Sequence, residues 1–178
     1  MDMTGEERIA AGREVVWAAL NDVEVLRQCI PGCESLEKVS DTDMAARVKL
    51  QIGPVRATFS GQVKLSDIDP PNGYRISGEG SGGVAGYARG GAVVRLHDDG
   101  PVTVLHYEAK ADVGGKLAQL GGRLIDSTAR KLAGEFFQKF GTIVGAPAAA
   151  AAGRSPPAGA AAPRKAWLPR WLRRKKQE

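Results

Sequence analysis

Residues 55–65 read Val-Arg-Ala-Thr-Phe-Ser-Gly-Gln-Val-Lys-Leu, with apolar or small residues at every odd position and polar ones at every even position. Side chains of a strand alternate between its two faces, so this segment has one face for a core and one for water. An unbroken alternation of eleven residues predicts a long, half-buried antiparallel strand that needs equally long neighbours.

Those neighbours are legible. Met44, Ala46, Val48, Leu50 and Ile52 alternate with polar residues, and the Gly53-Pro54 turn joins them to the first segment. After the turn Asp69-Pro70-Pro71-Asn72-Gly73, Tyr74–Ser77 resumes a strand. Val93–Leu96 and Val102–Val113 add two more, parted by Asp98-Asp99-Gly100-Pro101. In the last of these Leu105, Tyr107, Ala109, Ala111 and Val113 share one face. Residues 3–9 read as a short first strand. Arg13–Leu20 has a brief helical pattern, and Asp22 is placed to cap a second short helix that ends at Pro31-Gly32.

From about residue 116 to 144 the period changes. Leu117, Leu120, Leu124, Thr128, Leu132, Phe136, Phe140 and Ile143 recur at steps of three or four, the stripe of a helix lying on a sheet. Gly121-Gly122 falls inside this stretch at about 1 kcal/mol per glycine relative to alanine. That placement implies either close packing on the sheet or a portal that bends. Two short helices, a curved antiparallel sheet and a long C-terminal helix define the α+β helix-grip plan, in which a cavity often remains between sheet and helix.

Charge divides the chain. Residues 145–178 hold eight Lys/Arg and one Glu, a net +7, while residues 1–144 hold 17 Lys/Arg and 19 Asp/Glu, a net −2. A body without positive excess argues against a nucleic-acid partner. Residues 145–163 are Ala, Pro and Gly with little else, the composition of a disordered linker. Residues 164–178 join Trp167-Leu168 and Trp171-Leu172 to Arg170, Arg173, Arg174, Lys175 and Lys176. Trp favours the membrane interface and basic residues are attracted to anionic headgroups, so this tail reads as a membrane-binding segment. Docking on an acidic protein surface and a merely solvated basic run are the alternatives. The acidic N-terminus lacks a signal-peptide pattern, and no run reaches the roughly 18 apolar residues of a spanning helix. The expectation is a cytoplasmic protein, peripheral on the inner face of the cell membrane.

Catalytic and metal chemistry find little support. Gly78-Glu79-Gly80-Ser81-Gly82-Gly83 matches a dinucleotide fingerprint by letter, but a strand-like run follows where a helix is required. Seven glycines between 78 and 91 instead imply sheet curvature or room beside a flat, greasy ligand. Cys29 and Cys33 read as structural thiols, since a zinc site needs more ligands than this spacing supplies. His97 and His106 fall on the polar phase of their strands. Asp67, Asp69 and Glu79 lie in or near turns, Asp126 is off the helical stripe, and Glu135 is nearer its edge. No metal, catalytic set or enzymatic activity is expected.

Three stretches carry a family resemblance: CIPGCESLEKVSDTD (29–43), LSDIDPPNGYRISGEGSGGVAGYARGGA (65–92) and VGGKLAQLGGRLIDSTARKLAGEFF (113–137). Through them residues 1–144 resemble the CoxG subunit family of carbon monoxide dehydrogenase, in the helix-grip (SRPBCC) superfamily of polyketide cyclases and lipid-transfer domains. The resemblance implies a non-catalytic accessory that recruits a molybdenum carbon monoxide dehydrogenase to the membrane. The superfamily's apolar cavity further implies a carried lipophilic molecule, menaquinone or another isoprenoid quinone. Candidate lining residues are Phe59, Tyr74, Ile76, Tyr87, Tyr107, Leu117, Leu120, Leu124, Thr128, Leu132 and Phe136. A flexible linker of 19 residues has a reach of roughly 25 Å, enough to let the body move between bilayer and enzyme. A recruitment factor with a filled core and a small cyclase are the alternatives.

Overall fold

A computed structural model describes residues 1–153, with side chains through residue 145. Seven antiparallel strands form one sheet: β1 Asp2–Ile9, β2 Cys33–Lys38, β3 Asp43–Ile52, β4 Val55–Asp69, β5 Gly73–Ser81, β6 Tyr87–Asp99 and β7 Val102–Gly114. Their order is β1-β7-β6-β5-β4-β3-β2. Helices α1 Arg13–Leu20 and α2 Val23–Cys29 connect β1 to β2, the two strands at opposite edges. The curved sheet wraps a third helix, α3 Gly122–Gly153.

The sequence periods are realised closely. The β3–β4 hairpin turns at Gly53, whose φ is +58°, and its register runs without a slip from Ile52–Val55 to Asp43–Lys64. Asp22 caps α2, accepting from the Glu24 N–H at 2.9 Å and the Val25 N–H at 3.4 Å. Such a cap is worth about 1 kcal/mol. β5 and β6 run longer than the alternation alone indicates, because their glycines carry no hydropathy signal. β2 has little hydropathy signal: Cys-Glu-Ser-Leu-Glu-Lys buries only Leu36 well, as suits an edge strand.

Two expectations are corrected. The long helix does not begin at 116. Residues Gly115–Leu120 form a 3-10 segment, and Gly121 breaks the chain at φ +88° before α3 starts. A hypothetical Cβ on Gly121 or Gly122 meets nothing within 4 Å, so neither glycine serves close packing. The break resets the helical phase, and Ile125 becomes buried at 8 % exposure. At the other end α3 continues to Gly153, through the start of the expected linker, where Ala148–Ala152 supply the strongest helix former.

The hydrophobic core is concentrated in one half of the molecule. Ile9, Val16, Leu20, Cys29, Leu65, Tyr74, Val94, Leu96, Leu105, Phe140 and Val144 are packed together there. Thr103, the one fully buried polar residue among those described, donates its hydroxyl to the Ala11 carbonyl at 2.7 Å.

Candidate functional site

The other half is hollow, for a reason visible in the cross-strand register. One ladder across the inner face runs Ala46–Gly61–Gly80–Ala88–Val113, and the next runs Val63–Gly78–Gly90–Ala111. Glycine and alanine leave the wall largely at backbone level, so no side chains fill the space between it and α3. Further along, the ladder Tyr74–Val94–Tyr107 is built of large side chains, which narrow the space towards the core.

The result is a cavity of about 540 Å³ between these ladders, β3, and the Ile125, Thr128 and Leu132 side of α3. A second of about 340 Å³ lies deeper, lined by Leu26, Met44, Tyr74, Tyr107 and Phe136 among others. Both touch Ile30, Ala46, Val63 and Ile76, which makes them adjoining compartments of one apolar space. Each lies within the roughly 300–1,000 Å³ of small-molecule pockets.

Polar groups are sparse inside. Gln62, Glu79, Arg89 and Lys110 border the larger cavity but are exposed, in the opposite phase of their strands from the inward glycines. Inward polar side chains are Thr128 in the larger compartment and Tyr74 and Tyr107 in the smaller. Tyr74 is 3 % exposed, packs edge-on to Trp17 at 5.3 Å, and its hydroxyl forms no hydrogen bond among the described residues. Burial alone raises its pKa to about 12. Tyr107 stacks on Phe137 at 5.4 Å. Its pKa is raised by partial burial and by Glu7, against the opposing effect of Arg130.

Most of the predicted lining residues meet here. Phe59, Leu117, Thr128 and Leu132 line the larger compartment, Tyr74, Tyr107 and Phe136 the smaller, and Ile76 both. Three do not. Tyr87 sits on the outer phase of β6, 49 % exposed, over Gly114. Leu120 lies in the 3-10 segment, and Leu124 is turned by the new helical phase onto the tip of the β3–β4 hairpin, against Gly53. Missed were Val48, Leu50 and Ile52 of β3, although their alternation was evident, and Ile125 and Ala129, whose signal was the Gly121-Gly122 break.

The glycine cluster divides into two kinds of position. A Cβ on Gly61 would overlap the Glu79 carbonyl, and one on Gly90 the Lys110 carbonyl, so these positions serve sheet curvature. Gly80 has ordinary room for a methyl group and lines the cavity. Cys29 and Cys33 are free thiols, both with pKa raised by burial. His97 and His106 face outward, stacked edge-on at 5.2 Å, with His106 3.5 Å from Glu6. Asp126 and Glu135 are partly exposed and do not line either cavity, and Glu135 lies 3.9 Å from Lys131. Among the described residues no cluster of His, Cys, Asp or Glu could hold a metal ion, and no helix is long and apolar enough to cross a membrane. Trp167, Trp171 and the basic residues of the predicted membrane-binding tail lie outside the described residues.

A long helix gripped by a curved seven-stranded sheet, with an apolar hollow between them, defines a helix-grip protein. Solved structures of that class align with it. A conserved protein from Geobacillus kaustophilus matches at 30% identity and TM-score 0.77, over 81% of this chain and 95% of that one. The Zhui aromatase/cyclase from Streptomyces sp. R1128 matches in fold at 13% identity and TM-score 0.58, over 81% and 93%. The protein TTHA0849 from Thermus thermophilus does so at 17% and 0.55, over 79% and 97%. No curated protein matches the chain. Residues 5–145 match the family model of the carbon monoxide dehydrogenase CoxG subunit, and the chain belongs to that family.

Proposed function

We propose that this chain is a non-catalytic accessory of a carbon monoxide dehydrogenase that holds an isoprenoid quinone, menaquinone in the first instance, and moves it between the membrane and the enzyme. Family membership supports the association with the dehydrogenase. The observation that carries the cargo reading is the apolar double compartment walled by Gly and Ala ladders. An isoprenoid quinone is almost insoluble in water, and transfer through water requires such a sleeve. The basic Trp/Leu tail, residues 164–178, would hold the body at an anionic membrane surface on the cytoplasmic side.

Native mass spectrometry with lipid extraction, on protein purified from its own host, tests this. The expected result is one isoprenoid quinone per chain, together with sedimentation on anionic vesicles that weakens with salt. An empty body that still sediments would leave a recruitment adaptor and end the carrier reading.

A further inference from the structure

The two ends of the sheet balance charge differently: one sets Arg8, Arg13, Lys38, Lys64, Arg75 and Arg95 beside its acids, and the other holds cations without acids. At one end, the β2–β3, β4–β5 and β6–β7 turns hold Asp41, Asp43, Asp67, Asp69, Asp98 and Asp99. At the other lie the β3–β4 turn, the Gly82–Gly86 turn between β5 and β6, and the passage from β7 into α3. Residues 49–59, 82–87 and 114–124, which build that end, include Lys49, Arg56, Lys116 and Arg123 and no Asp or Glu. All four cations are exposed. Among the described residues none of them is in an ion pair, whereas Asp67, Asp98 and Asp99 are paired with Arg75, Arg13 and Arg8.

These segments are in mutual contact. Gly53 lies against Leu124, Gly82 against the Phe59 ring, and Gly86 against Gly114. Val84, at the tip of its turn, is 87 % exposed, and Tyr87 beside it is 49 % exposed with its ring over Gly114; the opposite end exposes Val39 and Ile68 as well, so the acid-free cations are what set this end apart. Neither Val84 nor Tyr87 gains from water, and both gain from an interfacial lipid layer. Unpaired cations around exposed apolar tips match an anionic bilayer surface in both respects. The larger cavity reaches this end through Ile52, Phe59, Val113 and Leu117.

We infer that this end of the body is a lipid-docking surface in its own right, separate from the tail. Lys49, Arg56, Lys116 and Arg123 take anionic headgroups, and Val84 and Tyr87 enter the interfacial layer. Docked in this way, the body has its larger cavity against the bilayer and its charge-balanced end turned away from it. The purpose of the surface rests on the carrier reading. Its existence rests on the charge and exposure of these six residues.

The test uses the full chain with Cys33→Ser, which leaves buried Cys29 as its one native thiol. Val84→Cys carries an environment-sensitive fluorophore in one sample and Asp41→Cys, in the acidic β2–β3 turn, carries it in another. On vesicles of phosphatidylglycerol and phosphatidylcholine, the label at 84 is expected to shift blue and be quenched by nitroxide lipids, and the label at 41 to stay unchanged. The pair Lys116→Glu and Arg123→Glu is expected to weaken vesicle binding about tenfold or more and to abolish the response at 84. A silent label at 84 on vesicle-bound chain, or equal responses at both positions, overturns the inference. So does a charge reversal that spares vesicle binding but abolishes capture of an acidic protein. Quinone uptake, scored in the same samples, separates the two readings. Uptake without insertion at 84 removes the docking surface alone, and insertion without uptake removes the carrier reading alone.

Discussion

The ring of Tyr107 on β7 occupies the space that a side chain on its cross-strand partner Gly5 would need. The same ring stacks on Phe137 of α3 and lines the deeper compartment. One aromatic thereby ties edge strand, helix and cavity together, in the manner of an aromatic side chain covering a strand glycine.

Gly5→Val would displace this ring. The expected cost is about 1–3 kcal/mol, read as a lower urea midpoint with unchanged slope, together with loss of protection in β1 by hydrogen exchange.

The glycines of the cavity wall are predicted to differ sharply. Gly61→Ala and Gly90→Ala place a methyl against a neighbouring carbonyl, for an expected loss of about 1–3 kcal/mol. Gly80→Ala meets only ordinary contacts and should change stability by less than about 0.5 kcal/mol. Gly80→Leu, projecting into the larger compartment, should lower quinone uptake while the chain still folds. Urea unfolding of the set, with uptake measured on the last, checks the division.

Tyr74→Phe removes a hydroxyl with no hydrogen bond among the described residues, so at neutral pH the empty protein should keep its stability within about 0.5 kcal/mol. If the hydroxyl donates to a quinone carbonyl, affinity falls by about 0.5–1.5 kcal/mol, or roughly two- to thirteenfold. Alkaline pH gives a second readout. The folded pKa, about 12, lies above the usual 10, so the neutral phenol favours the folded state. This stability is intact below pH 10 and is lost as pH rises from 10 towards 12, to a total of about 2–3 kcal/mol. Tyr74→Phe should flatten that part of the pH profile measured by urea unfolding.

At the start of α3, neighbouring glycines should respond in opposite ways. Gly121, at φ +88° with no neighbour near its Cβ position, should lose about 1–2 kcal/mol on change to Ala, from backbone strain alone. Gly122→Ala, at the first helical residue, should be neutral or slightly stabilising. Thermal melts of the two variants decide this.

These residues also mark where sequence was sufficient as a guide. Strand alternation located β3, β4 and β7, because their inward positions carry hydropathy. It gave the wall of the cavity only indirectly, because Gly78, Gly80 and Gly90 contribute by lacking side chains. Helical periodicity puts Thr128, Leu132 and Phe136 on the cavity side, whereas Leu120 and Leu124 line neither compartment. Those leucines lie before or just after a break set by one positive φ, and apolar spacing does not register such a break. Tyr87 lies outside the cavity for a simpler reason: it sits one residue out of phase with Ala88, and aromatic character does not report which face of a strand is inward.

The two small-residue ladders constrain how this pocket could change over evolutionary time. At Gly61 and Gly90 the wall is already peptide backbone, and substitution there meets a neighbouring carbonyl before it reshapes the hollow. Variation in cargo size is therefore easier from the facing helix, where Ile125, Thr128, Ala129 and Leu132 can be exchanged without disturbing any strand register. Divergence among proteins built this way should concentrate on one helical stripe, while the sheet behaves as a fixed mould.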